Sequence, residues 1–195
     1  MRISNLLCAG VLAASILGCL PGRAATPQVR DGSHDFDFFY GSWVLRCTRL
    51  KSPVDTSHDW VKFDATDEAR PLPGGLGNED FARSSYPTKG FVGMTLRLYD
   101  RATGLWRLYW IDTKSSHGDA GIPNIGRWQG NVGTFDARIT YDGKPAIDRY
   151  TWTRFGNRSK IAAHFQESLS FDGGKTWKIF YFNDVIRASS KSIAH

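Results

Sequence analysis

From Asp35 onward the chain is a succession of short β-rich runs with no convincing helix-period stretch between them, and this limits its fold more than any other feature. The runs are 41–50, 58–66, 78–84, 90–99, 105–112, 125–130, 133–142, 146–154, 160–169 and 176–187. Turn signals punctuate them: "DRATG" (100–104), "DGKP" (142–145), "FGNRS" (155–159) and "DGG" (172–174). Only "SHDFDFF" (33–39) suggests a short helical turn. Strands in regular succession without helical crossovers predict an antiparallel meander, closed as a barrel or stacked as a sandwich. No unit of propeller length repeats. At 195 residues the chain suits one domain with a real core.

The first 25 residues stand apart. One Arg precedes an apolar run from Leu6 to Leu20, and small residues follow at Ala24-Ala25. The run is too short for the ~20 residues of a membrane span, so it reads as an export signal, with the barrel domain over 26–195 and a periplasmic or secreted destination. "ILGC" (16–19) resembles a bacterial lipobox, which would place a lipid anchor on Cys19. After ordinary cleavage Cys47 is left alone and no internal disulfide forms. Without Arg2 and Arg23 the formal charge of +6 falls by two, and the remaining basic residues are scattered among acids. Nucleic-acid binders cluster them on one face, so no nucleic-acid partner is expected.

The hairpins can be phased. Pairing "MTLRLYD" with "LWRLYWID" so that partner positions sum to 204 puts Met94, Leu96 and Leu98 on one face with Trp106, Leu108 and Trp110, and this apolar face is expected inside. Phasing the last hairpin with Leu169 opposite Trp177 puts Ile161, Ala163, Phe165, Glu167 and Leu169 on a face with Val185, Asn183, Tyr181, Ile179 and Trp177. "SFDGGKTW" (170–177) resembles the Asp-box of sialidases. One copy in a chain this short cannot build their propeller. It reads instead as a hairpin staple, with Ser170 and Asp172 bonding the turn backbone and Trp177 packing across its base.

"FDFFYGSW" (36–43) resembles the Gly-x-Trp opening of lipocalins and the wider calycin group. The resemblance implies that Trp43 plugs the closed end of a barrel and that an Arg near the end of the last strand packs over it. Arg187 fits that role: in an even-stranded closed meander the last strand ends beside the start of the first. With "GGLGNED" (74–80), "TLRLYDRATGLWRLYWID" (95–112) and "SFDGGKTW", the chain also resembles a bacterial family of unknown function with a calycin-like barrel. The expected fold is therefore an all-β, antiparallel up-and-down barrel of about ten strands. Nitrobindins, ten-stranded haem barrels, look similar in architecture and hold haem with a His near the C-terminus. Here parity puts His164 on the outer face, His117 in a loop and His195 at the tail, so no haem is expected. No two His share ligand spacing, so no metal site is expected either.

Candidate chemistry rests on polar groups in an aromatic interior. Glu167 falls within an apolar face and Asp112 ends one, and an unpartnered interior carboxyl is costly. Asn78 and Asp80 sit in a glycine-flexed strand or rim, and Asn183 shares the face of Glu167. Strand-end capping is the alternative role for Asp112 and Asp80, and pairing with an inward Arg or a Tyr hydroxyl is that for Glu167. The expected site is a small-molecule cavity with these five groups as anchors and Trp106, Trp110, Trp128 and Tyr181 as walls. No catalytic set appears at firm spacing, and no Gly-x-Ser-x-Gly elbow is present. The expected function is binding of a small, partly apolar ligand. The alternative is a barrel enzyme of isomerase, cyclase or hydratase type, with Glu167 or Asp112 as acid–base.

Overall fold

A computed structural model of the chain describes residues 30–54, 58–156 and 159–188. The leader, Cys8, Cys19, Ala25 and His195 lie outside the described residues. The ten strands are β1 (Gly41–Leu50), β2 (Trp60–Pro71), β3 (Gly77–Ser84), β4 (Phe91–Asp100), β5 (Leu105–Asp112), β6 (Asn124–Gln129), β7 (Val132–Tyr141), β8 (Lys144–Arg154), β9 (Ile161–Ser170) and β10 (Lys178–Arg187). Each pairs antiparallel with its neighbours in sequence, and β10 closes on β1. The fold is thus an all-β, closed up-and-down barrel of the calycin-like kind. Among the described residues the only helices are 3-10 turns at Asp37–Phe39 and Pro73–Gly75, so none is long and apolar enough to cross a membrane.

One end is plugged by aromatic side chains from the segment before β1. Phe36 and Phe39 are wholly buried, and Phe36 meets Trp106, Trp128 and Trp152 edge-on at 5.0, 5.3 and 5.8 Å. Such contacts add about 0.5–1.5 kcal/mol each beyond the area they bury. Trp43 stacks on Phe39 at 5.6 Å and donates its indole N–H to the Phe39 carbonyl. Its strand partner is Arg187, whose guanidinium carbon lies 4.3 Å from the indole ring. The closed end therefore has the Trp–Arg arrangement that an even strand number brings about. Gly32 ties this segment down further, accepting from the Trp106 indole at 3.2 Å and donating to the Tyr99 hydroxyl at 2.7 Å.

Two expectations about register are corrected. β4 and β5 pair on a sum of 205, as in Gly93↔Asp112 and Asp100↔Leu105. The turn explains the slip. Asp100 caps it by accepting from the backbone of Ala102 and Thr103, and Gly104, at φ 66, belongs to the turn. Leu105 rather than Gly104 is then the first residue able to face Asp100. Trp106 and Leu108 do point inward, but Thr95 and Arg97 join them, while Met94, Leu96 and Leu98 lie half-buried on the other face. In the last hairpin a bulge between Ile179 and Tyr181 turns Phe180 inward and leaves Ile179 exposed. Tyr181, not Ile179, lies directly opposite Glu167.

The hairpin tip at 170–177 is held by its own side chains. Asp172 accepts from the backbone of Lys175 and Thr176 and from the hydroxyls of Ser170 and Thr176, and these bonds hold its carboxyl well below the usual range. Ser170 accepts from Gly174, and the Trp177 indole donates to the Gly174 carbonyl. Gly173 and Gly174 both take positive φ, which the tight turn requires.

Candidate functional site

Above the plug the barrel encloses a cavity of about 500 Å³, within the range of small-ligand sites. Phe39 and Trp152 belong to both plug and lining, so they form its floor. Its mouth lies where β5 reaches Trp110 and Asp112. β5 pairs with β6 only over Trp106–Leu108, so its upper half is bonded on one side alone and the wall loosens there.

The deepest polar group is Arg97 on β4, which is 2% exposed. It forms an ion pair with Asp80 on β3 and donates to Asn78 at 3.1 Å. Its guanidinium also lies 4.9, 5.2 and 5.4 Å from the rings of Phe36, Phe39 and Trp152. Beside it on β2 is Asp67, 5% exposed, and no group among the described residues hydrogen-bonds its Oδ1. Burial and the nearby Asp80 push the Asp67 carboxyl well above its usual range, against Arg97 and the backbone of Glu68. Burial also raises Asp80, opposed by Arg97 and by hydrogen bonds from Thr95. Two acids face one buried guanidinium, so charge balance keeps a proton on the pair, and Asp67 is the acid without a cation of its own.

The second polar group lies on β1, β8, β9 and β10. The Tyr181 hydroxyl donates to the Cys47 thiol at 3.3 Å and accepts from Asn183 at 3.0 Å. Burial pushes the Cys47 thiol up to about 11, with the Tyr181 bond opposing, so the reactive thiolate is scarce. Glu167 is enclosed by protein but faces the cavity, and its carboxyl has no hydrogen-bond partner among the described residues. Burial raises its pKa well above the usual value and Asp148 adds to this, while Arg49 opposes. Asp148 itself is lifted to about 6 by burial, against the hydrogen bond from Asn124 at 2.9 Å. Burial also drives the phenols of Tyr150 and Tyr181 well above their usual range, so both remain donors.

Of the residues expected in the site, Glu167, Asp112, Asn183, Asp80, Trp110 and Tyr181 line the cavity. Three do not. Trp106 and Trp128 pack around Phe36 in the plug, because the segment before β1 fills the space they were expected to wall. Asn78 sits behind Arg97 as its acceptor, buried at 1%. Asp80 belongs to the deep ion pair rather than to a rim or turn. Asp112 caps the end of β5, accepting from the backbone of Lys114 and Ser115 at 2.7 Å each and from the Trp110 indole at 2.9 Å, while still bordering the mouth. Those bonds hold its carboxyl below the usual range although burial opposes them. His164 lies on the outer side, bonded to Asp184 at 2.8 Å.

Asp67, Arg97, Thr95 and Tyr150 also line the cavity and were not expected. For Asp67 the signal was present: the alternation Phe63, Ala65, Asp67, Ala69 puts an acid on an otherwise apolar face. For Arg97 the signal was complementarity: the β3–β4 pairing sets it diagonal to Asp80, and the 205 register of β4 on β5 puts it on the inward face with Trp106 and Leu108. Neither a scan of protein-family models nor a search of curated proteins returns a match to this chain.

Proposed function

We propose that this protein binds a small, partly apolar molecule inside the barrel. The observation that carries the reading is the cavity itself. Its aromatic walls enclose buried polar atoms with no hydrogen-bond partner among the described residues, Asp67 Oδ1 and Asn183 Oδ1, and the half-buried Glu167 carboxyl faces the same space. A buried polar group without a partner costs about 1–3 kcal/mol, and a ligand that bonds these atoms recovers much of that. Tyr181, Tyr150 and Trp110 supply apolar surface and Glu167 and Asn183 supply orientation. The sequence resemblance to the bacterial calycin-like family and the export leader support a carrier acting in the periplasm or outside the cell. A lipid on Cys19 would hold it at a membrane surface.

Native mass spectrometry of protein recovered from its own host tests this. A non-covalent small-molecule mass, lost on activation, is expected. A bare chain that also fails to take up a fluorescent apolar probe overturns the reading. N-terminal sequencing checks export: a start near Ala25 is expected, and retention of Met1 overturns it.

A second reading has one specific observation in its favour. Burial favours the protonated form of Glu167 in a cavity that substrate could enter, and that is the form a general acid uses. The barrel would then be an enzyme of isomerase, cyclase or hydratase type. Conversion of the host-derived ligand by the wild-type protein but not by Glu167→Gln would establish it.

A further inference from the structure

We infer that the deep end of the cavity is a cation subsite: the ligand's inner end carries a protonated amine that pairs with Asp67 beside the Asp80–Arg97 pair. The inference rests on the binding reading above and names the chemistry of the ligand's inner end.

Three observations carry it. First, two acids at the floor share one guanidinium, and a proton makes up the difference. Among the described residues Arg97 is the only buried guanidinium beside Asp67 and Asp80, and it is engaged by Asp80, by Asn78 and by three aromatic rings. Second, Asp67 is 5% exposed, borders the cavity and has an oxygen that no described residue bonds. Third, Phe39, Phe63, Trp152 and Phe165 line the cavity, and aromatic rings attract cations. An anionic inner end would meet two carboxyls, with their guanidinium already engaged through Nη1 and only its Nε–H unbonded among the described residues. The mouth has the opposite character. Arg49, Lys51 and Lys114 border it, and Arg49 stands three inward positions further up β1 than Trp43, the partner of Asp67. That spacing is about 20 Å along the strand, or roughly 15 Å along the barrel axis for a strand tilted by about 40°. The cation is therefore wanted at the tip of an apolar arm and not at the outer end.

The proton balance follows. The amine reaches the protein as an ammonium and stays one, while Asp67 releases its proton to solvent and becomes the counter-ion. The charged and titratable groups around Asp67 are Asp80 and Arg83 from β3, Arg97 from β4 and Cys47 from β1. With one linked proton, amine affinity rises by about tenfold per pH unit between the usual carboxylate pKa and the raised one of Asp67.

Three matched probes test this: dansylcadaverine, whose five-carbon arm ends in an ammonium, the neutral N-pentyl dansylamide, and the anionic 6-(dansylamino)hexanoate. The amine is expected to bind at least about tenfold tighter than the neutral probe, as a charged hydrogen bond implies, and the anion weakest. Calorimetry in buffers of different ionisation enthalpy should count one proton released per amine bound. Asp67→Asn should bring the amine down to the neutral probe's affinity and abolish proton release. If that variant does not fold, the wild-type order of the three probes decides together with the proton count, and equal affinities with a count of zero overturn the inference. Equal affinities for the three probes leave the binding reading standing and overturn the cation subsite. Binding of none overturns both. Loss of amine preference in Glu167→Gln but not in Asp67→Asn would move the cation to Glu167 and overturn the assignment.

Discussion

The two ends of the barrel are built from the same kinds of side chain to opposite purpose. At the closed end Trp43 and Trp106 bond backbone carbonyls, ring packs on ring, and Arg187 covers the outermost indole. Beyond it Trp110 is 40% exposed at the mouth, Glu167 faces the cavity, and Asn183 and, at the floor, Asp67 carry oxygens that no described residue bonds. Aromatic surface stabilises where it is closed off and recognises where it is left open. The junction is Trp152 with Arg97: the indole is in the plug and in the lining, and its own N–H lacks a partner among the described residues.

If that division is right, truncation should cost most at the plug. Trp43→Ala is expected to lose about 3–5 kcal/mol in denaturant unfolding, as for other large core truncations. Arg187→Ala should lose only about 0.5–1 kcal/mol, because the guanidinium is exposed and contributes a cation–π contact and packing. A loss of comparable size in both would mean that the plug depends on the strand closure rather than on ring packing. At the junction, Arg97→Met strands Asp80 without its cation. The expected loss is about 3 kcal/mol, the low end for a broken buried pair, since Asp80 can take up a proton. That loss should shrink as pH falls, and a loss independent of pH would break the argument.

At the mouth the same chemistry should be nearly silent in stability. Trp110→Ala is expected to cost about 1 kcal/mol, since its ring is half in solvent. The ring lies over Gly93, whose missing side chain leaves it room. Removing it should quicken uptake and release of a fluorescent apolar probe in stopped flow. Unchanged rates would place the way in elsewhere, with the loosened β5–β6 wall as the first place to look.

The closed end was far more legible in the sequence than the cavity, for a physical reason. Ten runs bounded by turn residues, with Gly-x-Trp at one end and Arg187 at the other, define strand number, closure and the Trp–Arg contact, because these depend only on parity and order. The cavity depends on register, which one turn residue can shift. Gly104 at positive φ moved the β4–β5 pairing by one and exchanged Met94, Leu96 and Leu98 for Thr95 and Arg97. Hydrophobicity argued for the wrong face, since no local rule reveals that the interior wants a guanidinium. Glu167, Asn183 and Tyr181 keep the inward face that parity gave them, but their pairing shifts by two residues, with a bulge at Phe180 nearer the mouth. Trp106 and Trp128 face inward as expected, yet strand phase says nothing about a segment that folds in from outside the barrel to cover them.

The smallest cost, and a change of sign, is expected at Glu167. Its carboxyl has no hydrogen-bond donor among the described residues, and burial with the nearby Asp148 holds its pKa well above the usual value near 4.3. The folded state thus keeps a proton that the unfolded chain releases. Folding takes up that proton at neutral pH, so stability is greatest below the unfolded pKa and declines as pH rises from there toward the folded one. A Gln in its place cannot ionise. Glu167→Gln should therefore equal the wild type near pH 4 and exceed it at pH 7, with the two curves parting across that window. Glu167→Leu should be at least as stable as the wild type at pH 7 but retain less ligand by native mass spectrometry, because the anchor is gone. A structural carboxylate would behave otherwise: leaving Arg49 or a tyrosine unpaired would cost both variants ~3–5 kcal/mol. Thermal melts from pH 4 to 8, with ligand retention measured on the same samples, separate the two. If both variants lose stability at pH 7, Glu167 belongs to the frame of the barrel and not to its cargo.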